Sequence, residues 1–499
     1  MGFLLKLKAW FVLFLAFCLI VPATTYAGSI KDGSSGTPGQ WYYGETPGSV
    51  LDSKYPILFV HGLNSSSDTW YNNNDMYATA FQNGYETSFI DLNSDKSMWA
   101  NGQLLAQKVQ EIYQHFGEKV VVVAHSKGGI DTQSALVHYG ADPYIERLIT
   151  LSTPHYGSEL ADLAYSGWAG WLAGILGSKN EATYSLQTGY MDYFRSQTDN
   201  HPNVYQTPIY TVGGTKWGSF GSALYWGGLY LSGYGSNDGA VTVSSSRLPY
   251  ATEIAVGDWN HTTVKEGSST FAVFKNYLNE QVYAMSSFKA QSVESEAKRV
   301  GNFIRGGEYS GKAVEHIDVE AGAQSVTFDW ISDQKDAQVT LISPDKKVRT
   351  DFEVHADETE FFNGAYHHTV TVDHPQAGKW MIEASSANTE HYLLHSSFDS
   401  TLNDLIGVAL ENGNVEVTSK NKDFKLKTDM TIDFYKNGKL KQKKVVGVKA
   451  DGESYNLPNL GEGVYNMTLD VSGQYKKEKF NRTIVQTVYV DDQGKLYFQ

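Results

Sequence analysis

The chain has 499 residues, 13% of them aromatic, with a formal charge of −15 and a single cysteine. That length exceeds what one core normally holds, so two to four domains are expected, and the aromatic content argues against wholesale disorder. The acidity makes nucleic acid a poor partner, and one cysteine excludes a disulfide framework or a cysteine-based metal site.

From the N-terminus, Lys6 and Lys8 precede an apolar run from Ala9 to Val21, and Thr25 and Ala27 place small residues at cleavage spacing. Residues 1–27 therefore read as the signal peptide of a secreted, extracellular protein, the run being short for a membrane span. Cys18 lies inside that leader. Removing Lys6 and Lys8 from the 40 basic residues leaves 38 against 55 acidic ones, a charge of −17.

Pro56-Ile57-Leu58-Phe59-Val60 is a continuous apolar run ending in His61-Gly62, which predicts a buried parallel strand. Thr87 to Leu92 predicts another. Leu105, Val109, Ile112 and Phe116 recur at helical spacing, and Gly117 suits the helix end. Val120 to Val123 is a run of β-branched residues that predicts a central strand. Ile130 to His138 reads as helix, Leu148–Leu151, Ile209–Val212 and Ile254–Val256 as strands, and Phe271–Leu278 as a closing helix. This alternation predicts an α/β domain over residues 28–285, a mostly parallel sheet with helices on both faces. A stretch at about 155–207 interrupts it, with Trp168, Trp171, Leu172, Ile175 and Leu176 among glycines and alanines. It reads either as a buried helix pair or as a mobile apolar lid.

Residues 286–300 read as a linker. Beyond it, alternating stretches such as Ser325–Trp330, Ala337–Ile342 and Thr369–Val372, with turn signals at Asn437-Gly438 and Asp451-Gly452, predict two all-β, sandwich-like modules over 301–400 and 401–499. His367-His368 has no further ligand at metal spacing and reads as a pair of solvated strand residues.

The chemistry concentrates in the α/β part. Ala124-His125-Ser126-Lys127-Gly128-Gly129 follows the valine strand and opens a helix, the setting of a nucleophile elbow, where small neighbours permit the strained turn. A serine hydroxyl needs a base, and in this arrangement the acid and the histidine follow on later loops. His261 is the sole histidine between Asp238 and His316 and lies beyond the last strand. Asp238, in Ser236-Asn237-Asp238-Gly239, is the favoured acid because it sits on a separate loop; Asp258, three residues before His261, is the reserve. The oxyanion needs two backbone N–H groups, one from Lys127 after the serine and one from the His61-Gly62-Leu63-Asn64 loop, for which Leu63 is chosen. His61 precedes the serine and reads as a buttress of that loop.

Residues about 54–265 resemble the bacterial secreted lipase branch of the α/β hydrolases, the Bacillus and Pseudomonas triacylglycerol lipases. The likeness rests on Phe59-Val60-His61-Gly62-Leu63, Ala124-His125-Ser126-Lys127-Gly128-Gly129, Ser152-Thr153-Pro154-His155-Tyr156-Gly157-Ser158, Asn237-Asp238-Gly239-Ala240-Val241 and Asn260-His261. It implies an α/β-hydrolase fold acting on lipid or other ester substrates: Ser126 acylated, His261 shuttling the proton, Asp238 orienting it, and the Leu63 and Lys127 amides as oxyanion hole. Some relatives hold calcium through paired aspartates near the histidine loop. Here the chain runs Thr262-Thr263-Val264-Lys265, so neither metal nor cofactor is expected. Amide, phospholipid and polyester substrates stay open within the same chemistry. A second reading, of another class, is an extracellular binding protein whose β modules grip cell wall or polymer.

Overall fold

The computed structural model describes residues 28–29, 36–50, 53–281, 298–357, 361–421 and 424–498. The expected leader and most of the expected linker lie outside the described residues. An eight-stranded sheet comes first, ordered Gly28–Ser29, Trp41–Tyr43, Thr87–Ile90, Ile57–Val60, Val120–His125, Ile145–Leu151, Ile209–Gly214, Thr252–Gly257. From Thr87–Ile90 onward all neighbours run parallel, while Trp41–Tyr43 joins Thr87–Ile90 antiparallel.

Side chains of a strand alternate between faces, and here both faces are apolar. Leu58, Val60, Val120, Val122 and Ala124 meet Leu105, Val109 and Ile112 of the helix Met98–Phe116 and Leu136 of the helix Lys127–His138. Ile57, Phe59, Val121 and Val123 meet Trp70, Met76, Phe271 and Phe274 on the other side. Each buried valine is worth about 1.5–3 kcal/mol, so the central strand has no room for a polar alternate. The long helix ends at Gly117, in the left-handed region at φ 76, with its N–H on the Tyr113 carbonyl.

The closing segment departs from the expected single helix. It is a π turn (Gly267–Phe271), three α residues (Ala272–Phe274) and a 3-10 turn (Lys275–Leu278). The wide first turn lets Phe271, Phe274 and Leu278 all reach the sheet, a packing demand that overrides a regular repeat.

The insert forms four short helices rather than a pair: Glu159–Ala164, Gly170–Ile175, Glu181–Ser185 and Thr188–Thr198. Leu172 and Ala173 are buried, while Trp171 and Ile175 are more than half exposed. Among the described residues, no helix is long and apolar enough to cross a membrane.

Residues 302–399 build a seven-stranded antiparallel sheet around the strand Gly378–Asp399. One edge of that strand pairs with Asn302–Val319, the other with Gln338–Ile342 and then Ser325–Ser332. Residues 406–497 form a three-stranded and a five-stranded sheet over a shared core that includes Val417, Met430, Ile432, Met467 and Val488. Asn437-Gly438 turns Leu426–Lys436 into Lys439–Ala450.

The histidine pair corrects the sequence reading: His367 and His368 are buried, not solvated. Neighbours on a strand face opposite ways, so both faces of this sheet are covered. His367 lies between two carboxylates, Nδ1 at 2.8 Å from Asp329 Oδ2 and Nε2 at 3.1 Å from Asp357 Oδ2. Burial alone would lower its pKa, but the two carboxylates outweigh that and raise it to about 10. Its ring sits 5.5 Å from that of Trp226 in the α/β domain. His368 instead bonds the carbonyls of Trp330 and Lys335.

The β region packs directly on the insert. Ile331, Phe361, Phe362, Leu393 and Val485 share one buried cluster with Leu63, Leu160, Leu172 and Trp226. Phe362 meets Trp226 edge to face at 5.4 Å. Asp162 of the insert accepts from Thr188 N–H, Thr188 Oγ1 and Thr487 Oγ1, the last from the five-stranded sheet.

Candidate active site

Ser126 sits between the strand Val120–His125 and the helix Lys127–His138 at φ 52, ψ −132. A serine at positive φ carries about 1–3 kcal/mol of strain, which the surrounding packing must hold. Its N–H donates to the Leu151 carbonyl, and its own carbonyl accepts from Gly129. The glycines after it are demanded by close approach. A Cβ on Gly128 would lie 2.4 Å from the His61 carbonyl oxygen, so the elbow is pressed against the loop that follows the first central strand.

His61 braces that loop. Its Nε2 accepts from the Leu92 N–H at 2.9 Å, which leaves the ring proton on Nδ1, and Nδ1 donates to the Gly62 carbonyl at 2.8 Å. Burial lowers its pKa, keeping the ring neutral. Leu63 is buried, and Asn64 turns through φ 47 with its N–H toward the Ser94 carbonyl. Lys127 is the first residue of its helix, where the backbone N–H has no partner in the helical ladder. Its side chain runs inward to an ion pair with Asp131 at 2.6 Å, and Asn101 Nδ2 donates to the other Asp131 oxygen. Burial pushes the Asp131 carboxyl up, against the pull of Lys127. Asn101 also exchanges two hydrogen bonds with the backbone of Asn93, next to Ser94. The pair therefore links the elbow helix to the Leu63–Asn64 loop. Sequence reasoning did not reach Asp131, although its i,i+4 spacing from Lys127 is a legible signal.

Asp238 is fully buried in a tight loop closed by the bridge Asn237↔Thr242. Its Oδ1 accepts from the Ala240 and Val241 N–H groups at 2.9 and 2.8 Å, and its Oδ2 lies 2.8 Å from His261 Nδ1. The His261 N–H donates to the Asp238 carbonyl at 3.0 Å. The reserve acid is elsewhere: the Asp258 side chain is 83% exposed and lies 3.6 Å from Lys216. On the other flank, His125 Nε2 is 2.8 Å from the His261 carbonyl, which brings the residue before Ser126 against the histidine loop. The structure thus pairs His261 with Asp238, sets the residue before Ser126 against His261, and leaves Asp258 out.

Ser126 is 1% exposed and His261 4%. Beside the Leu63–Asn64 loop opens a cavity of about 720 Å³, lined by Asn64, Ser65, Leu92 and Asp95, by Leu176 of the insert and by Asn363 of the β region. Among the described residues, no group of three or more His, Asp or Glu side chains is placed to hold a metal ion.

A serine on a strained elbow, with a buried imidazole–carboxylate pair beside it, can carry out nucleophilic acyl transfer. Comparison with known proteins finds similarity to lipase-like α/β hydrolases. A family model described as a PGAP1-like alpha/beta domain matches residues 52–165. The chain is 34% identical over 130 residues to Triacylglycerol lipase 2 of Saccharomyces cerevisiae, 25% of this chain and 40% of that protein. It is 29% identical over 117 residues to a triacylglycerol lipase of Pseudarthrobacter phenanthrenivorans, 22% of this chain and 36% of that one. It thus spans less than two thirds of these relatives' length. Among solved structures, Bacillus licheniformis lipase BlEst2 in its propeptide form matches 93% of this chain and 100% of its own, at 42% identity and a TM-score of 0.82.

Proposed function

The chain belongs to the lipase-like α/β hydrolases, and from that premise we propose that it is a secreted carboxylic ester hydrolase acting on triacylglycerols or related lipid esters through Ser126, His261 and Asp238. The observation that carries this reading is the 2.8 Å bond from His261 Nδ1 to a buried Asp238, beside a serine held at positive φ. The carboxylate keeps the proton on Nδ1 and leaves Nε2 as the base. Ser126 Oγ attacks the ester carbonyl as Nε2 takes its proton, and the tetrahedral oxyanion is met by the amides of Leu63 and Lys127. The imidazolium returns the proton to the leaving alkoxide, and water then cleaves the acyl-serine with His261 again as base. The test is hydrolysis of p-nitrophenyl esters from short to long acyl chains, with Ser126→Ala as control. Activity on no ester, together with amide cleavage, overturns the assignment.

A second element of the reading concerns the β modules. The similar solved lipase is described as a propeptide form, and in this chain Phe361 and Phe362 share a buried cluster with Leu63 while Ser126 is almost wholly enclosed. The modules then act as a cover that is released by cleavage between residues 281 and 298. Ester hydrolysis before and after limited proteolysis in that stretch tests this, and an unchanged rate refutes it. An added cell-wall role for the modules would use their free edge, the lysine-rich strand Lys439–Ala450. Failure of the chain to sediment with isolated cell wall removes that role.

A further inference from the structure

His125, the residue before the serine, has no part in the chemistry above. It is buried, its Nε2 lies 2.8 Å from the backbone oxygen of His261, and the two rings are 4.7 Å apart at 49°. Burial first, then the neighbouring His261 and Lys265, hold its pKa well below the ordinary value, so the imidazole is neutral and has one N–H. A carbonyl oxygen can only accept, which puts that proton on Nε2.

We propose that the His125 N–H fixes the peptide of His261 against the serine's own strand, making His125 the positioning residue of the catalytic base. The proposal rests on His261 being that base. Residue 261 is held at three points. Its N–H and its ring both bond Asp238, at 3.0 and 2.8 Å, and its carbonyl bonds His125. Two anchors on one residue leave the histidine free to pivot about them. The third anchor is covalently adjacent to Ser126, so base and nucleophile share one frame. The other hydrogen bonds of the loop do not supply this reference: Asn260 Oδ1 collects the N–H groups of Thr262 and Thr263, the Trp259 carbonyl accepts from Lys216, and Lys265 bonds Thr69 and Asn74, none of them on the serine's strand.

The experiment uses the full chain. His125→Phe keeps the aromatic bulk without the donor, and His125→Gln returns an amide N–H near the lost Nε2. A misplacement of about 1 Å at a reacting group costs up to about a hundredfold. His125→Phe is therefore expected to lower kcat on a short p-nitrophenyl ester by about ten- to a hundredfold, with KM unchanged, and to slow labelling of Ser126 by a small phosphonate equally. His125→Gln recovers most of the loss. If the intact wild type does not react, the same comparison is made after cleavage between residues 281 and 298 with both parts retained. Wild type inert in both forms overturns the hydrolase reading and this proposal with it. A folded His125→Phe variant with wild-type kcat overturns the proposal alone, as do equal losses in the Phe and Gln variants with lowered thermal midpoints. Should His125→Phe fail to fold, His125→Asn, whose amide falls short of the carbonyl, takes its place against His125→Gln.

Discussion

Replacing Asp238 by Asn tests the site most sharply, because the surroundings dictate how the amide must lie. Oδ1 receives two backbone N–H groups, from Ala240 and Val241, so the amide oxygen has to occupy that position. The NH₂ group is then forced onto the Oδ2 side, facing His261 Nδ1. Nδ1 must accept from it, the imidazole proton moves to Nε2, and the base is lost. The opposite amide orientation keeps the active tautomer but sets NH₂ against two buried donors. At about 1–3 kcal/mol for each unsatisfied group, that orientation is disfavoured by about 2–6 kcal/mol. Its population falls to between about one in thirty and one in 10⁴. Asp238→Asn is therefore expected to lower kcat on p-nitrophenyl butyrate by about 30- to 10⁴-fold, with a nearly unchanged fold by circular dichroism. Asp258→Asn, at an exposed side chain, is expected to leave kcat alone. An Asp238→Asn enzyme within about threefold of wild type, or a larger loss in Asp258→Asn, refutes the reasoning.

Removing Phe361 and Phe362 together should loosen the cover, since large-to-small changes at buried aromatics cost about 3–5 kcal/mol each. The intact double Ala variant is expected to hydrolyse esters at least about tenfold faster than the intact wild type, and an unchanged rate would show that these rings do not restrain the site. Burial raises the Asp162 carboxyl to about 6 from its ordinary 3.8. The folded chain thus binds this proton more tightly than the unfolded one. That stabilisation is complete below about pH 4 and is lost as pH rises through about 6, amounting to about 3 kcal/mol. Thermal melts should show the midpoint falling between about pH 4 and 6, with Asp162→Asn flattening that slope. His367, held near 10 by Asp329 and Asp357 against its own burial, carries stability that is full below about 6.5 and lost as pH rises through about 10. His367→Gln should flatten the melting profile in that upper window only.

The parts of this protein that were readable from its sequence are those whose cause is local. Four valines in a row need apolar cover on both faces, and an Ala-His-Ser-Lys-Gly-Gly string at their end has few ways to continue other than an elbow. Chain order then assigned Asp238 and His261 without any distance. What could not be read depends on partners remote in sequence. His367 and His368 read as solvated because no further ligand stands at metal spacing, yet Trp226, some 140 residues earlier, covers the side that His367 faces. The insert was ambiguous for the same reason. Leu172 looks equally suited to a helix pair or a lid until Ile331, Leu393 and Val485 arrive to bury it. His125 is the instructive case between these extremes. It lay inside the most legible motif of the chain, but its bond to the His261 carbonyl spans 136 residues. A motif specifies which residues the chemistry requires, whereas the bonds that aim those residues at each other are set by whichever loop the fold brings alongside.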